Sequence, residues 1–290
     1  MDEIVVYDES GAAAQTSTEG DFAGVGKLGS CNLQLARILQ YLECPQYLRK
    51  TFFPKHRDLV YAGILNPLDC PHHMREDEES PYREGVVLDR PVKNGKGSYA
   101  NCGMHKLVQL DKALEPNVRV TVKMLPETAD QKKYRKGAVV LPHVPRTVAG
   151  LYWGYSVRIA GSLSEVLTGC PFQDKYDVTI GTSERGESVD NFKIPEFKHL
   201  LVVFGGVHGL EAALEGDEQF EDIDDPKLLF DHYLNTCPTQ GSRTIRTEEA
   251  ILVTMSSLRP GIFSRVAESE VKYPTTTLPK FPTISSDSLT

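Results

Sequence analysis

The sequence is short of several things. Nowhere in its 290 residues does an apolar run approach the roughly 18 residues that a membrane span needs. The N-terminus, MDEIVVYDES, is acidic at once. It therefore lacks the basic start and apolar centre of a secretory signal. Both absences lead us to expect a protein that stays inside the cell. None of the six cysteines (Cys31, Cys44, Cys70, Cys102, Cys170, Cys237) forms a C-x-x-C pair. Scattered thiols read as reduced and buried, not as a disulfide frame. There is no G-x-S-x-G elbow, so hydrolase chemistry has little support. Internal repeats are missing too.

What is present is ordinary in bulk and uneven in detail. The chain is 40% hydrophobic and 25% charged, as soluble globular proteins are. Its length suggests about two domains. The net charge of −8 argues against non-specific nucleic-acid binding by the molecule as a whole. The sign is segregated, however. Residues 91–145 hold ten Lys/Arg against four Asp/Glu, and residues 199–235 hold one against nine. A polyanion could find a basic face in the first half.

Periodicity divides the chain. EIVVYD (3–8) reads as a short strand that opens the sequence with no lead-in. Residues 10–30 read as a Gly/Ala/Ser/Thr loop. Residues 32–42 space Leu33, Ala36, Leu39 and their neighbours helically. Cys44-Pro45 stops that helix, and 46–53 suggests a second one. From about 59 to 124 the period becomes alternating. Strands are expected at 84–92, 103–111 and 117–124, giving a small basic β-barrel. From about 150, strands at 152–160, 176–180 and 200–204 alternate with helices at 162–167, 210–214 and 248–258, and another element lies at 228–234. That pattern implies an α/β fold with a parallel, doubly covered sheet. The sheet should be the one begun by residues 3–8. The Ser/Thr/Pro-rich end, 265–290, is expected to be disordered.

Several motifs have plain readings. GVGKLG (24–29) spells G-x-G-x-x-G, but 15 residues separate it from the strand. A dinucleotide fingerprint needs the strand directly before it and an acid about 20 residues on. Lys27 is followed by Leu28, so it is no P-loop either; a nucleotide-binding enzyme is the weakest reading. His72 and His73, with Cys70, Cys102 and His105, lack the tight pairing of structural zinc. A hydrogen-bonded loop or an RNA-facing pair suits them better.

Three glycine-bearing loops are different. IGTSERG (180–186), FGGVHGLE (204–211) and TCPTQGSRTIR (236–246) each follow an extended element. In open α/β sheets that edge binds ligands. In the third loop, Thr247 is expected to cap the following helix, with Glu248 and Glu249 in its first turn. Arg243 and Arg246 sit where the helix dipole disfavours cations. They suggest an anionic partner, with an ion pair to Glu249 or Glu211 as the plain alternative.

YDVTIGTSERG, HLLVVFGGVHGLE and NTCPTQGSRTIRTEEAIL, in this order, resemble the SPOUT (α/β-knot) methyltransferases. YWGYSVRIAGSLSEV and LQLARILQYLECPQYLRKTFFPKH extend the likeness to residues 2–265. They look like one branch in particular, the eukaryotic and archaeal branch with a β-barrel inserted in the sheet. The resemblance implies a parallel sheet with a deep C-terminal trefoil knot and an OB-like barrel. Its segments would be 1–58 (the first part of the sheet, lacking the family's first strand and helix), 59–146 (the barrel), 147–264 (the knotted cofactor half) and 265–290 (the tail). It implies S-adenosylmethionine held by the three loops, a homodimer, and an RNA substrate. The expected reaction is methylation of uridine N3 in large-subunit (28S) ribosomal RNA. Nuclear, nucleolar and cytoplasmic locations follow, with links to the spindle, centrosome and kinetochore among animal members. The rival reading is a non-catalytic RNA-binding scaffold in ribosome assembly or on the spindle.

The cofactor candidates are Thr182, Arg185, Gly205, Gly206, Asn235, Thr236 and Gly241. Arg243 and Arg246 are the catalytic candidates, as cations beside a uridine that has lost its N3 proton. Lys93, Lys96, Lys106, Arg119 and Lys123 are the candidates for holding flanking RNA. No metal is expected.

Overall fold

The computed structural model describes residues 1–8, 31–92, 96–127, 133–172, 174–206 and 208–268, without the side chains of 264–268. GVGKLG, Lys93 and the tail beyond 268 lie outside the described residues. In chain order the elements are β1 (Glu3–Tyr7), α1 (Cys31–Glu43), α2 (Gln46–Phe52), β2 (Tyr82–Val87), β3 (Tyr99–Asn101), β4 (Val108–Leu110), β5 (Arg119–Met124) and β6 (Arg135–Val140). They continue as α3 (Val144–Ala149), β7 (Ser156–Ala160), α4 (Leu163–Thr168), β8 (Val178–Ser188), β9 (Leu200–Phe204), α5 (Gly209–Glu215), β10 (His232–Asn235) and α6 (Thr247–Glu268). They form two compact units. One is Met1–Glu76 with Gly154–Ser269, and the other contains Asp77–Trp153. Among the described residues, no helix is long and apolar enough to cross a membrane.

The first unit is α/β. β1 pairs in parallel with β7, from Glu3 opposite Ser156 to Tyr7 opposite Ala160. β8 lies between β9 and β10, parallel to both. The single sheet expected from sequence is therefore two sheets by hydrogen bonding. β9 shows why its run is wholly apolar. Leu200 and Val202 pack with Val178, Ile180 and Leu258, whereas Leu201 and Val203 pack with Val5, Ala160 and Leu163. Successive side chains point to opposite faces, and here both faces are covered.

Local signals explain the helix ends. Ser162 Oγ accepts the Glu165 N–H (3.0 Å), and the Glu165 carboxylate reaches back to the Gly161 N–H (2.7 Å). That is capping-box chemistry at the start of α4. At the end of α1 the carbonyls find donors further along the chain. Nε2 of His72 and of His73 lie 2.9 and 2.6 Å from the Glu43 carbonyl. Arg49 donates to the carbonyls of Cys44 (2.9 Å) and Leu42 (3.2 Å). The histidine pair is thus a helix cap. Burial lowers the pKa of His73, the Glu43 hydrogen bond opposes this, and His72 adds to the lowering. Among the described residues, no cluster of three or more His, Cys, Asp and Glu could hold a metal ion.

The second unit is a closed five-stranded barrel in the order β2-β3-β4-β6-β5. β4 and β6 pair in parallel, and the other neighbours are antiparallel. Val87, Ala100, Cys102, Val108, Leu110, Val120 and Val122 form its core. Burial pushes the Cys102 thiol up to about 12, so it stays protonated and packs as a small apolar group. Glu84 is buried but supplied: Arg119 Nε (2.7 Å), Thr121 Oγ1 (2.5 Å) and Trp153 Nε1 (2.5 Å) all donate to it. The strands expected at 84–92 and 103–111 are shorter than the alternation suggested. β3 and β6 had no such signal, and the basic run KKYRK (132–136) ends in the first two residues of β6. Residues 59–64, expected at the edge of the barrel, lie in 3-10 turns.

Candidate active site

Because β8, β9 and β10 are parallel, their C-terminal ends share one edge. GTSERG was expected to be a loop that ends the strand at residue 180. Instead β8 continues to Ser188, with a bulge. Gly181 pairs with Tyr233 and Glu187 with Leu234, so residues 182–186 bow out between two consecutive residues of β10. The bulge is tied on both sides. Thr182 Oγ1 donates to the Val203 carbonyl (2.9 Å), and Asn235 Nδ2 donates to the Glu184 carbonyl (3.0 Å). Gly205 and Gly206 follow β9 directly, and Asn235 ends β10.

The third loop is fastened to the same edge. Asn235 Oδ1 accepts the Cys237 N–H (3.0 Å), and the hydroxyls of Thr236 and Thr254 share a hydrogen bond (2.6 Å). Thr247 was expected to cap α6. It lies inside the first turn, and its hydroxyl donates to the Gly205 carbonyl (3.3 Å). The cap is made by Glu249, whose carboxylate accepts the Arg246 N–H (3.0 Å). Thr182, Gly205, Asn235, Thr236 and Thr247 are therefore joined through one hydrogen-bonded edge.

The arginines separate by partner. Arg185 pairs with Glu211 (3.2 Å), and Arg246 approaches Glu248 at 3.9 Å. Arg243 is exposed, and among the described residues it makes no ion pair or hydrogen bond. Of the three, it has the most freely available charge.

The glycines separate too. A Cβ on Gly205 would fall 2.8–2.9 Å from backbone atoms of Gly209 and Leu210. That glycine is required by the protein's own turn. A Cβ on Gly206 or Gly241 would meet nothing within 4 Å. Among the described residues no packing accounts for these two, and the open space beside them suits a ligand.

Tyr233 went unnoticed in the sequence. It is buried, it packs against Phe230 and Leu210, and its hydroxyl faces the Ser183 side chain in the bulge. Burial raises its pKa, so the phenol stays neutral. It is on β10, opposite Gly181 at the foot of the bulge. The only signal in the sequence was its position two residues before Asn235, and strand alternation gives the same signal for any core tyrosine.

A family described as "Putative RNA methyltransferase" matches residues 1–258. The chain belongs to this family. It is similar to a 28S rRNA (uridine-N(3))-methyltransferase of Mus musculus, with 62% identity over 262 residues, 90% of this chain and 68% of the relative. A Homo sapiens protein of the same name is 60% identical over 262 residues, 90% of this chain and 69% of the relative. One from Drosophila melanogaster is 51% identical over 290 residues, 97% of this chain and 59% of the relative.

An RNA methyltransferase needs a methyl donor and a hold on RNA. The open space at Gly206 and Gly241 is the feature of the shared edge that fits a bound donor. The basic candidates belong to the barrel unit. Lys96 and Lys123 are exposed. Lys106 is already paired with Glu127 (2.8 Å). Arg119 is committed to buried Glu84 (2.7 Å), which makes it a structural cation.

Proposed function

We propose that the chain is an S-adenosylmethionine-dependent enzyme that methylates N3 of a uridine in large-subunit ribosomal RNA. The observation that carries this reading is the shared edge of β8, β9 and β10, in a chain 62% identical to a relative named for that reaction. S-adenosylmethionine, when bound, supplies an activated methyl group. Thr182, Arg185, Gly205, Gly206, Asn235, Thr236 and Gly241 would hold it, mainly through backbone groups that the glycines leave accessible.

The chain's remaining task is to prepare the acceptor. A uridine N3 must lose its proton before the nitrogen can attack, and the charge then spreads to O2 and O4. A fixed guanidinium stabilises that anion, as an oxyanion hole does. Arg243 is assigned this role because its charge is unspent. Arg246, which supplies the capped N–H of α6, holds phosphate. Pairing hides N3, so the target is unpaired or flipped out. Positioning supplies the rest of the rate. Lys96 and Lys123 contact flanking RNA, in a barrel of the kind that binds oligonucleotides. A nucleolar site of action follows from the substrate.

A trefoil knot and a homodimer belong to the same reading. In support of the knot, the chain leaves β9, crosses to the far side of β8 to form β10, and returns so that Thr247 bonds to Gly205. In support of the dimer, α6 exposes Leu252 and Phe263, which are 73% and 60% accessible.

Calorimetric titration with S-adenosylmethionine tests the reading first. Saturable binding is expected, and its absence would leave an RNA-binding scaffold. Mass spectrometry of nucleosides from treated ribosomal RNA should then show 3-methyluridine. Arg243→Ala should lower methylation about 10²–10³-fold, the cost of losing one such donor. Its cofactor affinity should stay within a few-fold of the parent. Unchanged methylation would remove Arg243 from the chemistry.

A further inference from the structure

The barrel unit has a cavity of its own, of about 360 Å³, at the ends of three strands. Arg83 lies near the start of β2, Met124 and Leu125 at the end of β5, and Arg135 at the start of β6. Met104, Glu78 and Glu79 complete the lining that matters here. We propose that this cavity receives one nucleobase of the bound RNA, a base other than the methylated uridine. The proposal rests on the reading of the chain as an enzyme acting on RNA.

Chemistry selects the occupant. Two of the chain's five methionines line this cavity. Thioethers pack well on flat, polarisable rings, and Leu125 adds an exposed apolar wall. A phosphate is disfavoured. Glu78 and Glu79 are exposed and would repel it. The Arg83 guanidinium is already spent on the carbonyls of Cys102 (3.2 Å) and Glu78. Arg135 is only half-used. Its Nη1 bonds Glu127 (3.2 Å), and among the described residues its buried Nε has no partner. The guanidinium carries N–H donors beyond the Glu127 bond, and an acceptor entering the cavity would take one of them. The ligand is therefore flat, offers an acceptor to Arg135, and offers donors to the carboxylates. Cytosine, adenine and guanine carry an exocyclic amino group with two N–H donors and meet the description best. Uracil offers only its N3–H, flanked by two acceptors.

The test uses the full chain and fluorescently labelled single-stranded oligo(C), oligo(A) and oligo(U). Wild type should bind oligo(C) or oligo(A) about tenfold more tightly than oligo(U), the scale of one stacked base. Arg135→Gln and Met104→Lys should each erase that preference while cofactor affinity holds. If RNA binding and methylation are intact but wild type shows no preference, the cavity proposal falls alone. It also falls if the preference survives in both variants. If wild type neither binds RNA nor methylates it, the functional reading falls with it. Ultraviolet cross-linking of wild type to the same RNAs needs no variant to fold. Adducts at Met104, Met124, Leu125 or Arg135 support the proposal, and adducts confined to other residues overturn it.

Discussion

Gly205 and Gly241 look alike in the sequence, each a glycine in a loop after a strand, but they differ in what surrounds them. A methyl group at 205 would collide with the backbone of 209–210, which cannot swing aside as a long side chain can. Gly205→Ala should therefore cost about 1–3 kcal/mol, the usual penalty of overpacking, measured as a lower urea midpoint. A methyl group at 241 meets nothing within 4 Å among the described residues. Gly241→Ala should leave the midpoint unchanged and weaken S-adenosylmethionine binding at least tenfold by calorimetry. Equal cofactor affinity would show that the space beside Gly241 is solvent only. This difference was not legible in the sequence, since both glycines obey the same turn rule. The role of Thr247 was hidden for a similar reason. A threonine before two glutamates has the form of a cap, and only the fold shows the Gly205 carbonyl taking its hydroxyl.

Elements were legible where one force decided them. β9 is apolar on both faces and lay where the sequence placed it. α1 ends at Cys44-Pro45 as expected. β8 was cut short because glycine and serine signal a turn, whereas pairing with β9 and β10 carries the strand onward around a bulge. α6 was expected to end near Leu258, yet it runs through Pro260 to Glu268. A proline inside a helix forfeits one backbone hydrogen bond and adds a clash, but the turn before it is held by Leu258, packed against Val178 and Ile180. α4 offers a test at this scale. The buried Asp217 carboxylate accepts the Ser164 N–H (2.6 Å), the Ser164 hydroxyl (3.2 Å) and the Gln219 N–H (3.0 Å), joining α4 to the turn after α5. Burial opposes its charge, but the Ser164 and Gln219 bonds win and lower its pKa from the ordinary 3.8. A depressed carboxylate pKa contributes stability above the unfolded value and loses it as pH falls through the folded one. Asp217→Ala should therefore cost about 1–3 kcal/mol at pH 7. The gap from wild type, read by urea denaturation, should narrow below pH 3.8. A gap independent of pH would mean that Asp217 acts through packing, not charge.

Over the whole molecule, segregation of charge was the most informative bulk property. A net charge of −8 belongs to a chain whose 91–145 segment is basic. That segment lies within the barrel unit, whose core is separate from that of the α/β unit. Counting charges in the sequence overstates the cations available to RNA, because pairing depends on the fold. Arg119 neutralises Glu84. Lys106, through a hydrogen bond, together with Arg135 nearby, holds the carboxyl of Glu127 below its usual range. Lys123 is exposed and, among the described residues, has no ion pair. Each phosphate neutralised on a single strand contributes about −0.7 to the slope of log K against log salt. Lys123→Ala should therefore flatten that slope by about 0.7 for a short single-stranded RNA. Lys106→Ala should flatten it less, because the lysine must leave Glu127 before it can serve a phosphate. Fluorescence anisotropy at several salt concentrations makes the comparison. Equal slopes for the two variants would mean that the Lys106–Glu127 pair opens freely on binding, and every lysine of the segment would then count as it does in the sequence.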